Sequence, residues 1–206
     1  MADAMTVLSE DHRNVEQLFD RFEQLRDTQE VGTKLELVRE IVRELSIHAG
    51  IEEQIFYPSV RRALRQSDEP AEELFHEHQE VEELLAEVDT MDPTDQRLEP
   101  LVMEVMRSVK EHVAEEEGQV FPKIRDAIAP ETLDQMGEAL ENAKRFAPTR
   151  PHPHAPSTPP ANLVAGPMAG AVDRMAGSRG RRMVAMTAGA AAVGFLVWRA
   201  SRRRAA

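Results

Sequence analysis

His48 and Glu52 stand four residues apart, and so do His112 and Glu116. On a helix, positions i and i+4 share a face with Cβ atoms about 5–6 Å apart, so each pair can aim an imidazole and a carboxylate at one point. The two pairs belong to an internal repeat. His48-Ala-Gly-Ile-Glu52-Glu53-Gln-Ile-Phe-Tyr57-Pro58 matches His112-Val-Ala-Glu-Glu116-Glu117-Gly-Gln-Val-Phe-Pro122 at a constant offset of 64. A second match, Asp11-His12-Arg-Asn-Val15-Glu16-Gln-Leu18 against Glu77-His78-Gln-Glu-Val81-Glu82-Glu-Leu84, is offset by 66. The order His, then His-x-x-x-Glu, therefore occurs twice. His12, His48, Glu52, His78, His112 and Glu116 would converge from four helices into one interior. Left without partners, that many buried polar groups are expensive; two divalent or trivalent ions would make them stable.

The donor set narrows the metal. The chain has no cysteine, which excludes a thiolate zinc site, a cysteine-ligated iron–sulfur cluster, a thiol nucleophile and a disulfide framework. Imidazole and carboxylate together suit iron, with zinc and manganese as the other choices. Two His and one Glu per ion form a facial set that leaves coordination positions open. Bridging carboxylates would make the site dinuclear, as in carboxylate-bridged di-iron bundles.

The elements that must carry these residues are helices. Val15, Leu18, Phe19, Phe22 and Leu25 follow the i, i+3, i+4, i+7 rule, as do the apolar positions from Leu35 to Leu45 in a segment starting at Thr33. Asp68 is a good cap for a third helix carrying Leu74, Val81, Leu84, Leu85 and Val88. Thr94 can cap a fourth, running through Leu101 to Val113, although Pro100 implies a later start or a bend. A last, shorter helix is expected at about Pro130 to Arg145. Four long helices with short connections predict an all-α, antiparallel four-helix bundle of two repeated helical hairpins, plus a short extra helix and a C-terminal tail. The Phe-Tyr-Pro and Phe-Pro steps are expected to kink their helices and close the dry end of the cavity.

At these residues the chain resembles the hemerythrin-like proteins of the HHE cation-binding type, over about residues 5–128. The resemblance implies a four-helix bundle enclosing a non-haem dinuclear iron centre, with His12, His48, Glu52, His78, His112 and Glu116 as ligands and the two glutamates as bridges. Oxygen-carrying members add a histidine four residues before the position of His78; here that residue is Leu74. One iron would then keep a position for water, hydroxide or another side chain, which argues against simple reversible oxygen carriage. The implied function is binding of oxygen, nitric oxide or peroxide, with peroxide decomposition (a peroxidase- or catalase-like di-iron oxidoreductase) as the reaction it could support. A non-enzymatic iron or oxygen sensor, or a metal-binding module, is the alternative.

Other residues near the motif carry less. Glu16 and Glu82 repeat the four-residue spacing after His12 and His78 but read as solvated faces. Glu53 and Glu117 either face solvent or orient a histidine from behind, and Tyr57 either packs the bundle end or hydrogen-bonds a bound ligand. His76 is about 200° around its helix from His78, and His152 and His154 lie among prolines.

Charge divides the chain. Its net charge is −12, but residues 1–146 hold 36 acidic and 16 basic side chains, while residues 147–206 hold nine arginines against Asp173 alone. A bundle at −20 is not expected to bind a phosphate backbone. Six prolines in residues 147–160 mark a linker. The expected organisation is 1–146 as the metal-binding bundle, 147–161 as a Pro-rich linker, and 162–206 as a basic tail with an apolar segment at 183–198. That segment has sixteen uncharged residues fenced by arginines, with Trp198 at its end. It is a candidate membrane contact, although about 24 Å of helix is short of a ~30 Å hydrocarbon core. The N-terminus lacks a basic region followed by an apolar run, so a cytoplasmic location is expected, and 183–198 is either a membrane anchor or a flexible tail or helix that docks on a partner.

Overall fold

A computed structural model describes residues 2–26, 28, 30–63, 69–153 and 162–175. Among these residues all regular structure is helical, with no strand. The helices are α1 (Ala4–Leu25), α2 (Val31–Ile51), α3 (Tyr57–Ala63), α4 (Glu69–Thr90), α5 (Leu98–Glu115), α6 (Phe121–Ala127), α7 (Pro130–Lys144) and α8 (Asn162–Met175). A π-helical turn, Glu52–Phe56, joins α2 to α3, and a second, Glu116–Val120, joins α5 to α6. The bundle is thus α1, α2–α3, α4 and α5–α6, in two antiparallel hairpins.

α1 begins earlier than the Val15–Leu25 stripe indicates. Asp3 caps it, accepting a hydrogen bond from the Thr6 N–H at 2.7 Å, and Ala4, Met5, Val7 and Leu8 are buried. His12 therefore lies in the middle of its apolar face rather than ahead of it. α5 starts late: Thr94 does not cap it but donates to Asp92 in the preceding turn. Leu98 is the first helical residue, which leaves Pro100 in the opening turn, where a missing N–H breaks no helical bond. Asp68 lies outside the described residues. The described side chains of α4 begin at Glu77, so Leu74 and His76 fall outside them too.

The prolines of the repeat have a specific local effect. A proline inside an α-helix lacks a donor, and its ring meets the carbonyl four residues back. Here each follows a widened turn. The Tyr57 N–H bonds to Glu52 O and the Phe121 N–H to Glu116 O, both five residues back, which takes the chain into Pro58 and Pro122. Such turns often sit at functional sites, and both begin at the glutamate of a His-x-x-x-Glu pair.

Two apolar clusters form the core among the described residues. One, at the end of the bundle with the π turns, gathers Met5, Leu8, Ile51, Phe56, Val60 and Ile124 with Leu133, Met136 and Leu140 of α7. The other gathers Val15, Phe19, Phe22, Ile41, Leu85 and Met106. Each large side chain buried in this way contributes about 1.5–3 kcal/mol. His12, His48 and His112 fall in sequence between members of the two clusters, so the polar layer is held between two dry ones.

α7 covers the N-terminal end of α1 by close backbone approach. A Cβ at Gly137 would lie 2.3 Å from the Ala2 carbonyl oxygen and 2.9 Å from the Asp3 carbonyl carbon. Gly137→Ala is therefore expected to push α7 away at a cost of about 1–3 kcal/mol, read as a lowered midpoint in thermal unfolding. An unchanged midpoint would show that this contact is not tight.

The chain divides by contacts into residues 1–171 and 172–206. Within the first unit, the start of the proline-rich stretch lies against the bundle. Ala147 is buried, Pro148 Cδ lies 3.0 Å from where a Gly50 Cβ would be, Arg150 pairs with Asp89, and the His152 N–H donates to Glu82 Oε1 at 3.0 Å. His154 and the segment 183–198 lie outside the described residues. No helix among the described residues is long and apolar enough to cross a membrane.

Candidate metal centre

Each hairpin brings one histidine from its first helix and a His-x-x-x-Glu pair from its second. The i, i+4 spacing works as expected: His48 Nε2 lies 3.3 Å from Glu52 Oε2. Glu52 is also 3.2 Å from His78 Nε2, so one carboxylate faces histidines of both hairpins. His12 Nε2 is 3.2 Å from His48 Nε2 and 3.4 Å from Glu116 Oε2. His78 Nε2 is 2.8 Å from His112 Nε2. All six sequence-identified residues are buried. Two groups, His12–His48–Glu52 and Glu52–His78–His112, have ligand atoms within 4.8 Å of one another, close enough to hold a metal ion, and Glu52 belongs to both.

The chemistry of this layer fits a cation. Glu52 and Glu116 are fully inaccessible, and none of their four oxygens has a hydrogen-bond partner. Four ε nitrogens point inward, in two pairs close enough for their lone pairs to repel. The δ nitrogens point outward, some of them to acidic groups. His12 Nδ1 donates to Glu117 Oε1 at 2.8 Å, and His112 Nδ1 donates to Glu77 Oε2 at 2.9 Å. A carboxylate only accepts, so each of these rings carries an N–H on Nδ1 and turns Nε2 toward the interior. This is the support that metal-binding histidines receive.

Proton affinities follow the same geometry. Burial, then the Glu116 charge, raises the Glu52 carboxyl well above its ordinary value. Burial, then the neighbouring histidines, lowers His78 well below the usual imidazole range. Burial also lowers His48. At His12 burial acts downward but Glu116 and Glu117 outweigh it, and the net shift is up. Burial, then Glu82, pushes Glu53 up to about 8. The Tyr57 hydroxyl lies 3.0 Å from His78 Nε2, and burial followed by the Glu52 and Glu116 charges keeps it protonated.

Space for a small ligand lies beside the histidines. A cavity of about 30 Å³ is lined by all four of them, with Val15, Leu45, Val81, Leu85, Val109 and Val113 among its walls. A water-sized group needs about 10–15 Å³, so this volume takes one small molecule of two or so heavy atoms. Ala49 and Glu82 line the side against which residues 148–152 lie. A groove of about 340 Å³, lined by Arg13, Glu16, Phe19, Lys110 and Glu117, reaches His12 between α1 and α5.

Of the neighbouring residues, Glu117 does orient a histidine, while Glu16 is exposed and Glu82 is half-buried at the cavity wall. Asp11 and Glu77 escaped the sequence reading. Asp11 Oδ2 lies 3.8 Å from His48 Nδ1, and Glu77 bonds His112. The available signal was positional: each is the acidic residue directly before the lone histidine of its repeat.

Comparison with known proteins agrees with this architecture. The family model described as "Hemerythrin HHE cation binding domain" matches residues 3–124. An uncharacterised hemerythrin-like protein of Schizosaccharomyces pombe is 31% identical over 166 residues, covering 80% of both chains. A DNA nickase of Nostoc is 30% identical over 138 residues, which are 67% of this chain and 38% of that protein. The crystal structure of a hemerythrin HHE cation-binding domain-containing protein from Mycobacterium kansasii superposes with a TM-score of 0.59. It covers 70% of this chain and 86% of that one, at 23% identity, and so shares its fold.

Proposed function

Because the chain belongs to the hemerythrin HHE cation-binding domain family, we propose that it is a non-haem di-iron protein that binds oxygen, nitric oxide or peroxide, with peroxide decomposition as the reaction open to it. The observation that carries this reading is the pair of His/Glu groups sharing Glu52 beside a small, mostly apolar cavity. His12 and His48 would hold one ion, His78 and His112 the other, with Glu52 and Glu116 between them. Iron held there would supply reversible binding of small ligands and one-electron redox chemistry.

The chain's own residues do the rest. Glu77 and Glu117 keep the Nδ1 protons of His112 and His12 in place, so the inward nitrogens stay available. The valine and leucine walls exclude bulk water and limit the ligand to a few atoms. The Tyr57 hydroxyl is the protonated donor nearest His78. No nucleic-acid activity is proposed: the bundle's charge of −20 repels a phosphate backbone, and this chain spans 38% of the nickase relative.

A second reading, a sensor whose fold responds to metal, is favoured by the two partnerless carboxylates, since ions that neutralise them couple binding to stability. Turnover of peroxide separates the two readings. The cavity gives the direct test. Val81→Phe fills it from α4 without replacing any of the six residues, so iron content is expected to be unchanged while azide and nitric oxide no longer alter the optical spectrum. Full ligand binding by this variant would move the binding position elsewhere.

A further inference from the structure

The two halves of the internal repeat serve as controls for each other, and one of the contacts at which they differ lies behind the histidine of the His-x-x-x-Glu pair. In the second hairpin Glu77 reaches His112 Nδ1 at 2.9 Å and accepts its proton. In the first hairpin Asp11 holds the same place in the repeat, but its Oδ2 stops 3.8 Å from His48 Nδ1. That is too far for a hydrogen bond. Asp11 Oδ2 and His48 Nδ1 are both buried, and each lacks a hydrogen-bond partner. The other oxygen, Oδ1, is held at 2.8 Å by the Lys144 ammonium, which also contacts Glu141 at 2.9 Å.

Lys144 is the last residue of α7, an element with no counterpart in the repeat and outside the segment that matches the family model. Its contact is more than a loose surface pair. Lys144 is about one-fifth exposed and Asp11 less.

We propose that Lys144 is a positioning residue for the metal position that contains His48. By engaging Asp11 it holds that carboxylate back from His48 Nδ1, leaving the ring without the support that His112 receives from Glu77. An imidazole whose Nδ1–H donates to a carboxylate is a stronger ligand through Nε2, and such outer partners change metal affinity by about 10–100-fold. α7 thereby sets the affinity of one of the two positions, and any displacement of α7 retunes it. The inference rests on the di-iron reading for its metal consequence, while the Lys144–Asp11–His48 geometry belongs to the metal-free protein and is measured there.

The test uses the full chain. In Lys144→Met, Asp11 is released to close on His48. Imidazole nitrogen NMR of the metal-free protein is expected to show a newly hydrogen-bonded His48 Nδ1–H with His112 unchanged. Chelator competition with ferrous ion is expected to show one of two binding steps tightened by about 10-fold. Lys144→Arg keeps the wild-type behaviour. Asp11→Glu supplies the extra methylene that Glu77 has and shifts both readouts in the same direction without altering α7. An unchanged His48 signal in both Lys144→Met and Asp11→Glu overturns the proposal. So does a lowered unfolding midpoint with both binding steps weakened alike, which is the signature of a merely structural pair. A shifted His48 signal with no metal bound by any form upholds the positioning contact and instead defeats the di-iron reading.

Discussion

Glu52→Ala is expected to abolish binding at both metal positions at once, whereas His48→Leu or His112→Leu lowers metal content and leaves the opposite position largely filled. The asymmetry comes from geometry. Glu52 alone belongs to both clusters, 3.3 Å from His48 on its own helix and 3.2 Å from His78 across the bundle. Losing it would take a donor from each of the two groups and remove one of the two buried carboxylates of the layer. Outer partners of a ligand are worth about 10–100-fold in affinity, so a shared ligand is expected to exceed that for both ions. Elemental analysis after desalting reads the result as a metal-to-protein ratio. A Glu52→Ala protein that still carries a full complement would show that the carboxylate is not shared.

The second large effect concerns stability. Without metal, Glu52 and Glu116 are buried with no hydrogen-bond donor, an arrangement that costs about 1–3 kcal/mol per unsatisfied group. Metal at 1,000 times its dissociation constant adds about 4 kcal/mol, expected to raise the unfolding midpoint by roughly 10 °C for a domain of this size. Glu52→Met is expected to act in the opposite sense on the two forms: the metal-free protein gains stability and the response to metal disappears. The sign of the pH effect follows. The Glu52 carboxyl is raised in the folded state above its ordinary 4.5, so the folded protein keeps a proton that the unfolded chain releases. Its contribution is fully present below about 4.5 and is lost as pH rises from there through the raised folded value. Denaturant unfolding between pH 5 and 8 should therefore show metal-free wild type weakening with pH and Glu52→Met weakening less. Equal slopes would contradict a buried, protonated Glu52.

Much of this was visible in the residues. The doubled His and His-x-x-x-Glu order is informative because histidine is rare here, seven in the chain, and because i, i+4 spacing has one helical meaning. Hence the convergence of His12, His48, Glu52, His78, His112 and Glu116 could be read before any fold. The supporting acids were legible only in part. Glu117 is a candidate beside its motif, whereas Asp11 and Glu77 are two of 36 acidic side chains in the first 146 residues, and only packing decides which of those turn inward.

Backbone detail was legible to differing degrees. Pro58 and Pro122 announce a disturbance, but whether a helix kinks or widens into a π turn depends on what surrounds it, and here both widen. The start of α1 is less legible although Met5 and Leu8 continue the spacing of Val15, because the polar run from Ser9 to Asn14 interrupts the apolar stripe. Lys144 carries no motif at all. Its reach to Asp11, 133 positions earlier, exists only because Gly137 lets α7 lie against the start of α1.

The proposed dinuclear iron site in this layer of imidazoles and carboxylates makes metal content the decisive quantity. Anaerobic loading with ferrous iron, desalting, and elemental analysis alongside the optical spectrum before and after peroxide test it most directly. About two irons per chain are expected, with a spectrum that changes on adding peroxide. A chain that retains neither iron nor any other transition metal in stoichiometric amount would contradict it.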